Sequence, residues 1–188
     1  MSEKKAQLST DGEGSGHSCG AARRAASAVG ILLWVLLVVL DLWTKSIAAA
    51  VLQNGRISLI PGVLEFYYLQ NTGAAFSLLE NAQWLFIIIA AVVSAFIGVL
   101  LIRIPRTRHY LPLILVLMLI SAGAVGNLAD RVFLGYVRDF IYFSLINFPV
   151  FNVADIYVTA GTVVLVLLVL FCYKDEDFEP LFRNHILR

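Results

Sequence analysis

Four apolar runs, at about residues 25–52, 82–102, 110–129 and 152–171, constrain this chain more than any other feature. Each approaches or exceeds the roughly 20 residues that a helix needs to cross a bilayer. Only 14% of the residues are charged, and mean hydropathy is +0.83, whereas a soluble domain carries about 25% charge. The expected fold is an all-α membrane protein of four transmembrane helices. The first run is too long for the core of a cleavable signal peptide, and Asp41 and Lys45 stand where a cleavage site would have to be. It is therefore read as a retained helix. Residues 1–24, with the tract GEGSGHSCG, read as a disordered tail. The membrane domain is placed at 25–172 and a second tail at 173–188.

Lysine and arginine counts orient these helices. Lys4, Lys5, Arg23, Arg24, Arg103, Arg106, Arg108, Lys174, Arg183 and Arg188 fall on one side, against Lys45, Arg56, Arg131 and Arg138 on the other. The richer side is cytoplasmic, so both termini are expected there. Asp41 and Lys45 then close the first helix at the outer face. Asn127, Asp130 and Arg131 close the third, and Asn152 and Asp155 open the fourth. Ionisable groups near bilayer depth are costly and usually functional. Here they converge on one leaflet, while the bodies of helices two to four carry none.

Residues 53–81 are more than a connector. Arg56–Ile60 and Val63–Leu69 are strand-like, and Pro61-Gly62 between them suits the central positions of a type II turn. Alternation sets Leu64, Phe66 and Tyr68 on one face and Glu65 and Tyr67 on the other. A small extracytoplasmic β-sheet on the membrane surface is expected, leading into Asn71.

The chemistry open to the outer cluster is limited. His17, His109 and His185, with Cys19 and Cys172, all fall on the cytoplasmic side. That removes Ser-His, Cys-His and zinc-histidine arrangements. A pair of aspartates sharing a proton remains possible, as does a serine activated by a lysine, Ser46 with Lys45. Neighbours on a helix do not face each other, which disfavours the second. Asp41 and Lys45, four apart, could be a plain ion pair or could shape the site. Asp130 reads better as structural than as catalytic. Asp155 could simply favour a helix N-terminus, with Asn152 as its N-cap. Those readings explain single residues but not the recurrence of acids at one depth. A proton or ion pathway would spread ionisable residues through the membrane. A structural partner protein would give the asparagine-aspartate motifs no purpose. A net charge of +1 without a basic stripe points away from nucleic acid.

These residues fall into motifs: Asp41-Leu-Trp-Thr-Lys45, Asn71-Thr-Gly-Ala-Ala-Phe76, Gly126-Asn-Leu-Ala-Asp-Arg131, Gly135-Tyr-Val-Arg-Asp-Phe-Ile141 and Phe151-Asn-Val-Ala-Asp155. In kind, order and spacing, over about residues 30–170, the chain resembles the lipoprotein signal peptidases (signal peptidase II). The resemblance implies an aspartyl endopeptidase of the bacterial inner membrane, its site at the outer face. It would cut a diacylglyceryl-modified prolipoprotein just before the lipidated cysteine. By motif position, Asp139 and Asp155 would be the catalytic pair. Asp41, Lys45, Asn71, Gly73, Gly123, Asn127, Asp130, Arg131, Asn152 and Ala154 would bind substrate or support the site. The resemblance implies no cofactor and no metal, a monomer, and membrane lipid with the lipid-modified precursor as partners. Asp139 and Asp155 stand close in sequence, so the loop between them is expected to be short.

Overall fold

Helix α1 spans Asp11–Val51 in the computed structural model, which describes residues 11–53, 55–73 and 83–182. Then come β1 (Arg56–Ile60), β2 (Leu64–Asn71), α2 (Gln83–Arg103), α3 (Leu111–Leu134), β3 (Val137–Tyr142), a 3₁₀ turn (Ser144–Ile146), α4 (Val153–Phe171) and α5 (Asp175–Phe182). The chain divides into two units after Val35. The first contributes only the N-terminal part of α1, and the second holds the rest of α1 and every other described element. Four helical stretches are long and apolar enough to cross a membrane: Ala28–Val51 and the whole of α2, α3 and α4. Large apolar side chains such as Val92, Phe96, Val163 and Leu167 stay exposed on them. Water would not tolerate so much contiguous apolar surface, whereas lipid covers it.

Several boundaries depart from the sequence reading. Helix α1 begins at Asp11 rather than near Ala25; the alanines and arginines at 21–26 favour extension that far, whereas the turns through Gly12, Gly14, Gly16 and Gly20 run against local preference. Helix α3 runs past Ala129 to Leu134. Its polar residues are held by side-chain partners, and it ends where Gly135 turns left-handed (φ +81) and bonds back to Arg131 O. The stretch beyond Phe171, read as a tail, contains α5. Tyr110 Oη and Arg103 Nη1 donate to the α5 carbonyls of Asp177 and Leu181 at 2.9 and 3.2 Å. Residues 1–10, Ala74–Phe76 of the second motif and His185 lie outside the described residues.

The three strands form one antiparallel sheet in the order β1-β2-β3. Val63 N donates to Ile60 O at 2.9 Å across Pro61-Gly62, and Gly62 has φ +70, as a type II turn requires. Phe66 and Tyr68 pack on Ala48, Leu52 and Phe140. Arg56 lies over the Tyr67 ring at 4.1 Å and pairs with Glu65 at 3.5 Å. The faces are those the alternation indicates. The third strand is new relative to the sequence reading, which recognised only the two strand-like stretches before Asn71. It forms by pairing with β2, placing Asp139 opposite Leu69 and Val137 opposite Asn71.

Helix α3 is the most enclosed of the four, packed against α2 and α4. Small residues allow that approach. A Cβ on Gly123 would stand 2.5 Å from Ala154 O, and one on Gly161 would stand 2.6 Å from Ile120 Cγ1.

Candidate active site

The site is built where the end of α1, the end of α3, the start of α4 and strands β2 and β3 meet. Asp41 and Lys45 are wholly buried and lie 2.8 Å apart. They share a helix face because they are four residues apart. Asp41 Oδ1 accepts from Ala154 N at 2.8 Å, satisfying a first-turn amide of α4 that has no helical partner. Gly126 makes room for this carboxylate, since a Cβ there would overlap Asp41 Oδ2. One α1 acid thus joins the α3 surface to the α4 N-terminus.

Lys45 Nζ also donates to Asn127 Oδ1 at 2.8 Å. Asn152 Nδ2 donates to the same oxygen at 3.1 Å. With two donors facing its oxygen, the Asn127 amide has one sensible orientation, and its nitrogen points away. That nitrogen donates to Asp155 Oδ1 at 2.8 Å. The buried cation therefore acts on Asp155 through an intervening amide.

Asn152 connects the two acids. It is the N-cap of α4: its Oδ1 accepts from Asp155 N at 3.0 Å, while Asp155 Oδ2 accepts from Asn152 N at 3.0 Å. This reciprocal capping box fixes Asp155. Asn152 Nδ2 donates to Asp139 Oδ1 at 2.6 Å. The other Asp139 oxygen accepts from Asn71 Nδ2 at 2.8 Å. Asn71 is itself oriented by Gly73 N, which donates to its Oδ1 at 2.8 Å.

Burial pushes the Asp139 carboxyl up to about 6, and the negative charge of Asp155 adds to that. The amide donors Asn71 and Asn152 and the Lys45 charge oppose the rise. Asp139 is 1% exposed, so it sits away from water beside a second acid.

Asp130 occupies a different position. Arg138 Nη2 and Nε donate to its Oδ1 at 2.7 and 3.2 Å, and Arg138 N donates to its Oδ2 at 3.0 Å. Lys45 Nζ lies 3.5 Å away. Asp130 thus clamps the end of α3 to β3, leaving little free for chemistry. Arg131 bonds its own helix at Asn127 O and lies 5.4 Å from the Phe86 ring. Gly73, at φ +87, also lies close to Phe86, where a Cβ would stand 2.9 Å from Cε2. These two frame the cluster rather than touching the acids. Gly123 lies deeper along α3 and acts through packing.

The structure argues against the serine-lysine alternative. Ser46 Oγ donates to Leu42 O at 2.7 Å and accepts from Arg138 Nη1 at 3.1 Å, while Lys45 Nζ is engaged with Asp41 and Asn127. Among the described residues no three His, Cys, Asp or Glu side chains come together as a metal set. The acids also do not line the open cleft of about 600 Å³ beside the sheet, which Gln53, Tyr68, Gln70, Tyr136 and Arg138 line. Gly126 and Arg138 had no assigned role in the sequence reading. The only signal for them was their place within motifs that held the acids.

The chain matches known proteins over most of its length. The family model for signal peptidase (SPase) II covers residues 33–171. A lipoprotein signal peptidase of Streptococcus thermophilus (strain CNRZ 1066) is 41% identical over 156 residues, covering 82% of this chain and 97% of that protein. A lipoprotein signal peptidase of Streptococcus pyogenes serotype M5 (strain Manfredo) is 38% identical over 149 residues, covering 79% and 95%. A solved bacterial membrane enzyme, determined by the in meso method at 1.9 Å resolution, superposes with a TM-score of 0.67 at 31% identity, covering 78% of this chain and 95% of that one.

Proposed function

This chain belongs to the signal peptidase II family, and from that premise we propose that it removes signal peptides from lipoprotein precursors by aspartyl catalysis, with Asp139 and Asp155 as the reacting pair. The observation that carries the assignment is Asn152, which bonds Asp139 through its side chain and Asp155 through a capping box. No other two acids in the described cluster are joined by one residue while keeping clear of a full salt bridge. Asp41 faces Lys45, and Asp130 faces Arg138.

The mechanism follows from the chemistry of two close carboxyls. They cannot both ionise cheaply, so they keep one proton between them above the ordinary carboxylate range, up to the Asp139 value of about 6. The ionised member takes a proton from water, and the resulting nucleophile attacks the scissile carbonyl carbon. The protonated member donates to the carbonyl oxygen as it becomes tetrahedral. As the intermediate collapses, the first carboxyl passes the proton it took from water to the departing amine, a hydroxyl proton of the intermediate returns to the second carboxyl, and the pair regains its starting state. The raised position of Asp139 suits a group that keeps its proton in mildly acidic solution. Asn71 and Asn127 each hold one carboxylate oxygen in place, which keeps the acids oriented before substrate arrives.

The bond cut is proposed to be the one just before a cysteine bearing diacylglycerol. The distribution of lysine and arginine supports a reading with both termini in the cytoplasm and the acids at the outer face. There the acyl chains can stay in lipid while the peptide reaches the acids. Purified protein incubated with a diacylated prolipoprotein should release the signal peptide, and Asp139→Asn should not. Release at equal rates by both proteins would overturn the assignment.

A further inference from the structure

The segment that joins the two acids, Phe143–Val150, has no charged residue, and none occurs anywhere between Asp139 and Asp155. The connector at the other end of α3 is the opposite in character: Arg103, Arg106, Arg108 and His109 crowd it. At the tip of the uncharged segment Leu145 and Ile146 are 68% and 67% exposed, flanked by exposed Phe148 and Phe143. The turn is built to hold these side chains outward. Asn147 turns left-handed (φ 51), and its N donates to Ser144 O at 3.2 Å. Phe148 N donates to Phe143 O at 3.1 Å, and Tyr142 Oη donates to Asn147 Oδ1 at 2.7 Å. Behind the tip, Phe143 stacks on Phe151 at 5.9 Å, and Phe148 meets the same ring edge-on at 5.8 Å.

We infer that the Phe143–Val150 turn is immersed in membrane lipid, with Leu145 and Ile146 among the acyl chains of the leaflet that holds the site. A rigid apolar tip kept out of the protein core needs an apolar covering. Exposed apolar side chains also mark the helix ends on the same side of the bundle: Val132, Phe133 and Leu134 end α3, and Ile156 lies in the first turn of α4. Backbone that enters lipid must satisfy its own polar groups, and the turn pairs two of its amides internally, Asn147 N with Ser144 O and Phe148 N with Phe143 O. Because it joins the Asp139 strand to the Asp155 helix, its depth would set the depth of the cluster. This goes beyond the peptidase reading, and its test does not use peptidase activity.

The test is a spin label at Ile146→Cys, in protein with Cys19→Ser and Cys172→Ser, reconstituted in phosphatidylglycerol–phosphatidylethanolamine vesicles. Collision with dissolved oxygen reports lipid, and collision with a water-soluble nickel chelate reports water. The expected oxygen-to-nickel ratio resembles that of a label at Ile89 in α2 and exceeds that at Arg106 several-fold. A ratio like that of position 106 would overturn the inference. So would protection from both agents, which would mean that protein covers the tip. A label at Leu145→Cys gives an independent second reading should the first variant fold poorly.

Discussion

Asn152 donates its side-chain amide to Asp139 Oδ1 across 2.6 Å, and this bond ties a sheet residue to the cap of a membrane helix. The same side chain accepts from Asp155 N. The separation of the two acids is therefore set by one asparagine whose two amide atoms are both committed. Oxygen and nitrogen cannot be exchanged there without losing both bonds.

Asp139→Asn and Asp155→Asn should each lower turnover by about 100-fold or more, the usual scale for losing a general acid or base. The double variant should be little worse than either single, since the two act as a unit. Cleavage rates at matched amounts of folded protein check this. Near-normal cleavage by either single variant would remove that residue from the mechanism. Asp130→Asn breaks the Arg138 clamp instead, so its effect should show first in thermal stability and yield.

The pH profile should respond to Asn71 with a definite sign. On the proposed mechanism the pair works while it holds one proton, so turnover should fall as pH rises through the Asp139 value of about 6. The Asn71 amide favours the ionised carboxylate and holds that value down. Asn71→Ala should raise it further and move the alkaline limb of kcat/KM to higher pH. A limb that stays put or moves to lower pH would contradict the geometry.

Lys45→Met should destabilise the protein by about 3–5 kcal/mol, because it leaves the Asp41 carboxylate buried without its cation. It also removes a donor that orients Asn127. Adding Asp41→Asn should recover much of the stability, and less of the activity. Thermal unfolding with parallel cleavage assays separates the two effects. Ser46→Ala should cleave normally, whereas a serine-lysine mechanism requires it to be inactive.

Gly126→Ala should fail to accumulate as active protein, since its methyl group would occupy the space of the Asp41 carboxylate. Gly123→Ala should behave similarly against Ala154 O. Gly98→Ala in α2 meets nothing within 4 Å and should be neutral or stabilising by up to about 1 kcal/mol, the helix preference of alanine over glycine. Equal tolerance at all three positions, measured by yield and unfolding temperature, would contradict close packing of α1, α3 and α4.

Topology can be checked by cysteine labelling in protein without native cysteines. A membrane-impermeant maleimide added outside intact cells should label Ser58→Cys on exposed β1 and spare Ser9→Cys. The reverse pattern would invert the orientation and place the acids on the cytoplasmic side.

Much of this protein follows from local sequence alone. The apolar runs mark α2 and α4 to within a residue or two, because lipid demands uninterrupted apolar length. Alternation set Phe66 and Tyr68 against Glu65 and Tyr67, and Pro61-Gly62 marked its turn. The motifs also single out Asp139 and Asp155. Tertiary structure decided the rest. Strand β3 exists through pairing with β2, and VRDFIY by itself does not announce a partner. Helix α3 continues to Leu134 with its polar residues satisfied from outside it: Lys45, distant in sequence, donates to Asn127, and Arg138, beyond its end, pairs with Asp130. The orientation of the Asn127 amide depends on donors from α1 and the α4 cap together. Helix α5 docks through Arg103 and Tyr110. Periodicity and turn chemistry act between neighbours in the chain and can be read there. Buried amides and carboxylates take their roles from whichever distant groups satisfy them, and only the packed structure brings those groups together.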